Sequence, residues 1–160
     1  MMRITSTMLF FLAALAALPA PAQPKTAVVD NMQYLREKLL TDKKSVVAMN
    51  MELTESEAKG FWPLYEEYQK ELNSLNDRLA TMIAFYSKDL TGKSLTDQKA
   101  KALIDRYLVI EEAELRMKRS FAGRLGKVLP GRKVARYLQL ENKIRAIVKY
   151  EIAGEVPLVQ

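Results

Sequence analysis

Residues 53–86 read LTESEAKGFWPLYEEYQKELNSLNDRLATMIAFY. Within them Phe61, Tyr65, Tyr68, Leu72, Leu75, Leu79, Met82 and Tyr86 follow one another at spacings of 4, 3, 4, 3, 4, 3 and 4. That is an unbroken apolar heptad stripe, the seam of a helix packed along its whole length. Thr54, with Glu57 three positions on, makes a capping box: a hydroxyl for the third helical amide and a carboxylate reaching back. A helix from Thr54 to about Asp89 would be roughly 50 Å long at ~1.5 Å per residue. Such a length belongs to a long hairpin or an extended bundle.

Gly60 and Pro63 stand inside the first turns of this helix, on either side of Trp62, the chain's one tryptophan. A proline inside a helix removes one backbone bond and clashes with the carbonyl four residues back, at a cost of ~3 kcal/mol in a straight helix. Gly60 is placed to absorb a bend, so the sequence predicts a kink near Lys59 and Gly60 that seats Phe61 and Trp62 on a neighbouring helix. A structural Trp62 outweighs a client-binding one, because a large aromatic beside a seam is usually packed.

Three further helices are expected. Thr96 caps one that starts near Leu95, after Gly92 breaks the chain; its stripe is Ile104, Leu108, Leu115, Ala122, Leu125 and Leu129, with Glu111 and Lys118 interrupting it, so this helix packs less completely than the first or shifts register in its middle. Leu129-Pro130-Gly131 ends that helix, and Pro130 opens the next, which carries Val134, Tyr137, Leu138, Ile144, Ile147 and Val148. That helix is expected to stop at Ala153-Gly154, ahead of Pro157. Before Leu53, Asp30 with Gln33 suggests a capped start, and Met32, Leu35, Leu39, Val46 and Met49 give a helix to about Asn50, interrupted at Asp42. The alternation Val47, Met49, Met51, Leu53 is a weak strand signal there. The expected fold is all-α: four helices, two of them long, in an extended antiparallel hairpin or bundle. The long seam leads to the expectation of a dimer.

Residues 1–22, MMRITSTMLFFLAALAALPAPA, read as a secretory signal peptide: Arg3, an apolar core from Met8 to Leu18, helix-breaking Pro19 and Pro21, and a small-x-small Ala20-Pro21-Ala22 site. The apolar core is too short to span a bilayer, which takes ~20 residues. Cleavage after Ala22 would leave a chain from 23 to 160, enough for one domain with a real core, in a bacterial periplasm. The chain carries 25 basic and 19 acidic residues. In an exported chain this excess points to acidic proteins or anionic envelope surfaces rather than to nucleic acid. No cysteine is present, so no disulfide can reinforce the fold in an oxidising compartment.

Histidine is also absent. Ser-His-Asp and Cys-His catalysis, most zinc and copper sites and imidazole pH sensing are thereby excluded. No glycine-rich phosphate loop is present, and Glu66, Glu67 and Glu71 fall on the helix face away from the seam. Met49 and Met51 could hold a soft metal, but core packing is the commoner use of methionine. These residues give no enzyme and no cofactor. Charge is more informative. Seven acidic residues and two lysines lie between Glu52 and Asp77; eight basic residues and no acid lie between Arg116 and Arg136. The basic set is Arg116, Lys118, Arg119, Arg124, Lys127, Arg132, Lys133 and Arg136. Either it pairs with the acidic helix, at ~0–1 kcal/mol per surface pair, or it forms an open surface that attracts acidic partners at long range. In the second case Phe121, amid the arginines, would add an apolar contact.

Leu53-Thr54-Glu55-Ser56-Glu57 and Leu95-Thr96-Asp97-Gln98-Lys99 resemble the LTxxQ motifs of the Spy/CpxP group of periplasmic proteins. The segments FWPLYEEYQKEL and KVARYLQLENKIRAIV also look like those of exported Spy-like proteins. The likeness runs roughly from Leu53 to Val148. It implies helices beginning at each motif, a cradle-shaped antiparallel dimer, and a binding role: ATP-independent chaperones, an inhibitor of an envelope sensor kinase and heavy-metal sensors belong to that group. The fifth motif position is Glu57 in one copy and Lys99 in the other, so only the first keeps its capping box. The metal-sensing branch uses histidines, which this chain lacks, and that activity is not carried over. The expected function is nucleotide-independent binding of unfolded or acidic periplasmic proteins. The alternative is a module that docks one partner, such as an envelope sensor domain.

Overall fold

The structure, a computed structural model, describes residues 42–159. The leader, the helix start expected at Asp30, and Met32, Leu35 and Leu39 lie outside the described residues. Four helices and no strand are found among those described: α1 (Lys43–Met51), α2 (Glu55–Thr91), α3 (Asp97–Leu125) and α4 (Gly131–Glu155). The fold is all-α, and three of the four helices are long.

Each start has a local cause. The Ser45 amide donates to Asp42 Oδ1 at 3.0 Å, so Asp42, in extended backbone, caps α1. A single helix running through Asp42 is thereby corrected: its carboxylate competes for amides better than it continues a helix. The strand alternation around Met49 is equally absent, since α1 runs on to Met51. At Thr54 both arms of the capping box form: Glu57 N–H donates to Thr54 Oγ1 at 3.3 Å, and Thr54 N–H donates to Glu57 Oε2 at 2.8 Å. At Thr96 only one arm forms, from the Lys99 amide at 3.3 Å. The Lys99 ammonium instead reaches back across the hairpin turn to Asp89, 2.6 Å away. Pro130 stands just ahead of α4, and Gly154 lies inside its last turn.

Helices α2 and α3 run antiparallel, and α4 returns alongside both. Its start meets the start of α2, through Lys133 and Glu57; its middle reaches Asn76 and Glu114, through Arg145. Helix α1 lies across α2 and α4, where Lys43 meets Gln69 and Glu141. The seam of α2 is buried as expected at Phe61, Tyr65, Tyr68, Leu72, Leu75, Leu79 and Tyr86, while Met82 is half-buried. The chain's own helices fill it. At the core, Tyr137 of α4 stands edge-on to Phe61 (5.1 Å between ring centroids) and to Tyr68 (5.6 Å), and Phe121 of α3 stands edge-on to Tyr68 (5.3 Å). Edge-on pairs set the positive ring edge against a negative face, which adds to the gain from burial.

Helix α3 packs less completely than α2 and its register shifts midway: Leu125 and Leu129 of the expected stripe are buried, but its first half is not. Its buried side chains are Ile110, Glu114, Met117, Phe121 and Leu125, whereas Ile104, Leu108 and Leu115 are 58%, 51% and 51% exposed. The helix carries two apolar stripes, and the bundle covers the one interrupted by a carboxylate. Gly60 also has a packing role that the sequence does not show. A Cβ there would lie 2.9 Å from both Cβ and Cγ1 of Val128, so the glycine lets the α3–α4 turn sit directly on α2. Helix α2 is continuous through Pro63, and Trp62 is half-buried at the core's edge, edge-on to Phe61 and Tyr65 and beneath Lys44.

Candidate functional site: the basic segment and the distal hairpin

Five of the eight basic residues between Arg116 and Arg136 have carboxylate partners in the same chain. Arg116 pairs with Glu112 and Lys118 with Glu114 along α3. Arg124 reaches Glu67 of α2, and Arg136 comes within 3.9 Å of Glu52. Lys133 is the most embedded of the set. Its ammonium donates to Glu57 Oε2 at 2.6 Å and to the Glu52 carbonyl at 2.8 Å. Glu52 has left-handed backbone (φ 46°), a conformation costly for a side-chain-bearing residue, and Lys133 ties that turn to α4. Lys133, with help from the Thr54 amide, holds the Glu57 carboxyl below its ordinary range. Arg119, Lys127 and Arg132 are exposed and, among the described residues, have no carboxylate within 4.0 Å.

Phe121 is not the surface contact expected. It is 1% exposed, with the Arg124 guanidinium 4.7 Å above its ring. A position seven after Glu114 and four before Leu125 lies on the covered stripe, so the ring points inward and its arginine neighbours point out. Leu53 packs against the core, and Leu95 is half-buried in the hairpin turn.

Two buried carboxylates escaped the sequence reading. Glu114 Oε2 accepts from Arg145 Nε at 3.0 Å and from Nη2 at 2.7 Å; Lys118 Nζ stands 2.7 Å from Glu114 Oε1, and Asn76 Oδ1 accepts from Arg145 Nη1 at 2.6 Å. Burial alone would push the Glu114 carboxyl up, but the hydrogen bonds from Lys118 and Arg145 outweigh it and hold the pKa down. Glu141 accepts from Lys43 and from Gln69, each at 2.9 Å. Paired in this way, Glu114 ties α3 to α4, and Glu141 ties α4 to α1 and α2. The Tyr68 hydroxyl is buried with no hydrogen-bond partner among the described residues.

Towards the hairpin turn the covering helices give out and apolar side chains reach the surface. One groove of about 510 Å³ between α2 and α3 contains Met82, Phe85 and Val109, with Asp77, Arg78, Asp105 and Arg106 on its rim. Phe85 is 54% exposed. A second groove, of about 330 Å³, is lined by Met82, Ile83, Tyr86, Leu103, Ile104 and Tyr107, and by residues 156–159. Leu108 and Leu115 of α3, which line neither groove, are also more than half exposed. The interruptions at Glu111 and Lys118 are the sequence signal that this stripe packs incompletely, although they do not say which of its residues are exposed.

Among the described residues no group of three or more acidic, cysteine or histidine side chains could hold a metal ion, and no helix is long and apolar enough to cross a membrane. No family model, no curated protein and no solved structure matches the chain.

Proposed function

We propose that this chain is a non-enzymatic, exported protein-binding protein of Spy/CpxP type, acting in the periplasm without nucleotide or cofactor. The observation that supports the reading is the number of large apolar side chains left exposed on the distal hairpin, Phe85, Ile104, Tyr107 and Leu108 among them. An unfolded chain offers the complementary chemistry: apolar side chains not yet buried. The exposed cations Arg119, Lys127 and Arg132 would draw acidic clients in, and the apolar surface would hold them. Release would be passive. A homodimer, implied by the resemblance, would have to use exposed surface such as the outer stripe of α3, since the α2 seam is filled; solution mass reads this directly.

Aggregation of several unrelated, chemically unfolded proteins, followed with and without this protein and without nucleotide, tests the reading. Suppression across them is expected. Suppression of none would replace it with the narrower alternative, docking to one partner such as an envelope sensor domain.

A further inference from the structure

Residues 156–159 follow α4 as a non-helical segment and form one side of the second groove of the distal hairpin, across from Ile83, Tyr86, Leu103 and Tyr107. The Tyr86 hydroxyl donates to the Pro157 carbonyl at 2.8 Å. Tyr86 is buried with the segment in place, and its hydroxyl meets a main-chain carbonyl, a group that any peptide can offer. The occupant fits incompletely. Val156 is half-buried, but Leu158 remains 87% exposed and Val159 60%. A segment that leaves its largest apolar side chain in solvent gains little from burial there, at ~25 cal/mol per Å² of apolar surface covered.

We propose that residues 156–159 are a displaceable strap over this groove, and that the groove's external ligand is an extended apolar peptide segment of another chain. The incoming segment would offer its own main-chain carbonyl to the Tyr86 hydroxyl and place branched or aromatic side chains where Leu158 is unseated. The groove wall supplies no charge, which selects for an uncharged stretch. The strap closes one side of the groove and leaves Ile104 and Tyr107 in solvent, so an incoming segment has apolar surface to meet before it displaces the strap. This inference rests on the protein-binding reading for the ligand's source, but the seat of the strap is independent of it.

A tethered occupant competes at an effective concentration of about 1 mM for a short linker, so a seat with an intrinsic Kd near 0.1 mM weakens an outside ligand about tenfold. The test uses a fluorescein-labelled peptide, Glu-Val-Pro-Leu-Val-Gln, which copies the strap, and one acid-unfolded client. Each is titrated by anisotropy against the full chain, against a chain stopped after Glu155, and against the full-length variant Val156→Ser/Leu158→Ser/Val159→Ser. Both strap variants should bind the peptide about tenfold more tightly than the full chain. Adding Tyr86→Phe to either should reverse most of the gain. Circular dichroism establishes that each variant is folded, and the serine variant preserves chain length if the shortened one is not. Equal peptide affinity in all three chains, or indifference to Tyr86→Phe, overturns the strap. Peptide binding that tightens as expected while no form captures the client upholds the strap and refutes the wider protein-binding reading.

Discussion

Arg145 places two of its nitrogens on one oxygen of Glu114, Nη2 at 2.7 Å and Nε at 3.0 Å, inside the bundle. The pair joins α4 to α3 at a position that an apolar seam would have filled. Truncating one partner of a buried pair strands the other's charge at about 3–5 kcal/mol, whereas removing both for apolar groups can be nearly neutral. We expect Arg145→Met alone to be severely destabilising, and Glu114→Leu/Arg145→Met to cost much less than the two single changes combined. Urea unfolding of the four proteins checks this; additive losses would mean the pair is not coupled.

The pH response follows from the same group. The Glu114 carboxyl is held below its ordinary value of 4.5, so its contribution is fully present above that value and is lost as pH falls through the lower folded value. Glu57 and Asp89 are displaced in the same direction, by Lys133 and Lys99. Melting temperature should therefore be flat towards neutral pH and fall below about 4.5. At the alkaline end, burial raises the Tyr68 and Tyr137 phenols above their ordinary 10.0. The unfolded chain ionises first, and stability should fall above about pH 10. Melting curves between pH 3 and 11 read both limbs.

Gly60→Ala in a helix interior ordinarily stabilises by about 0.5–1 kcal/mol. Here the added methyl would stand 2.9 Å from Val128, and overpacking of that kind costs about 1–3 kcal/mol. The sign should reverse, and the penalty should shrink in a Val128→Gly background. A stabilising Gly60→Ala would show that the turn yields freely.

Tyr68→Phe removes a buried hydroxyl that has no hydrogen-bond partner among the described residues. An unsatisfied buried polar group carries a desolvation penalty of about 1–3 kcal/mol. The variant should match or exceed the wild type in thermal stability, whereas Tyr137→Phe, which gives up a contact to Gln69, should not. A clear loss at Tyr68→Phe would mean that the hydroxyl is satisfied.

Much of this fold is legible in local sequence, because helix starts and the α2 seam depend on residues a few positions apart. Thr54 with Glu57, and Thr96 before Asp97, mark starts that the structure keeps. Helix α3 is where such reading stops short: Glu111 and Lys118 signal incomplete packing but not which stripe is covered. Ile104, Leu108 and Leu115 make as good a stripe as the covered one, and neighbouring helices decide between them. Glu114 looks excluded from a core until Arg145, distant in sequence, is brought to it. Phe121 was misassigned with its neighbours because the charges of a segment do not say which way a single ring points. The mixed fate of the basic segment has the same origin: Arg124 and Lys133 meet carboxylates of α2 that only the fold brings near.

The central claim is that other proteins are held on the distal hairpin and not on the basic segment. A photo-crosslinking amino acid placed singly at Leu108, Phe85, Arg132 or Lys127, in the presence of an unfolded client, tests this most directly. The account predicts client adducts at Leu108 and Phe85 that persist at high salt, where screening falls below ~8 Å, and few at Arg132 or Lys127. Adducts concentrated at Arg132 and Lys127, with none at Leu108 or Phe85, would contradict it.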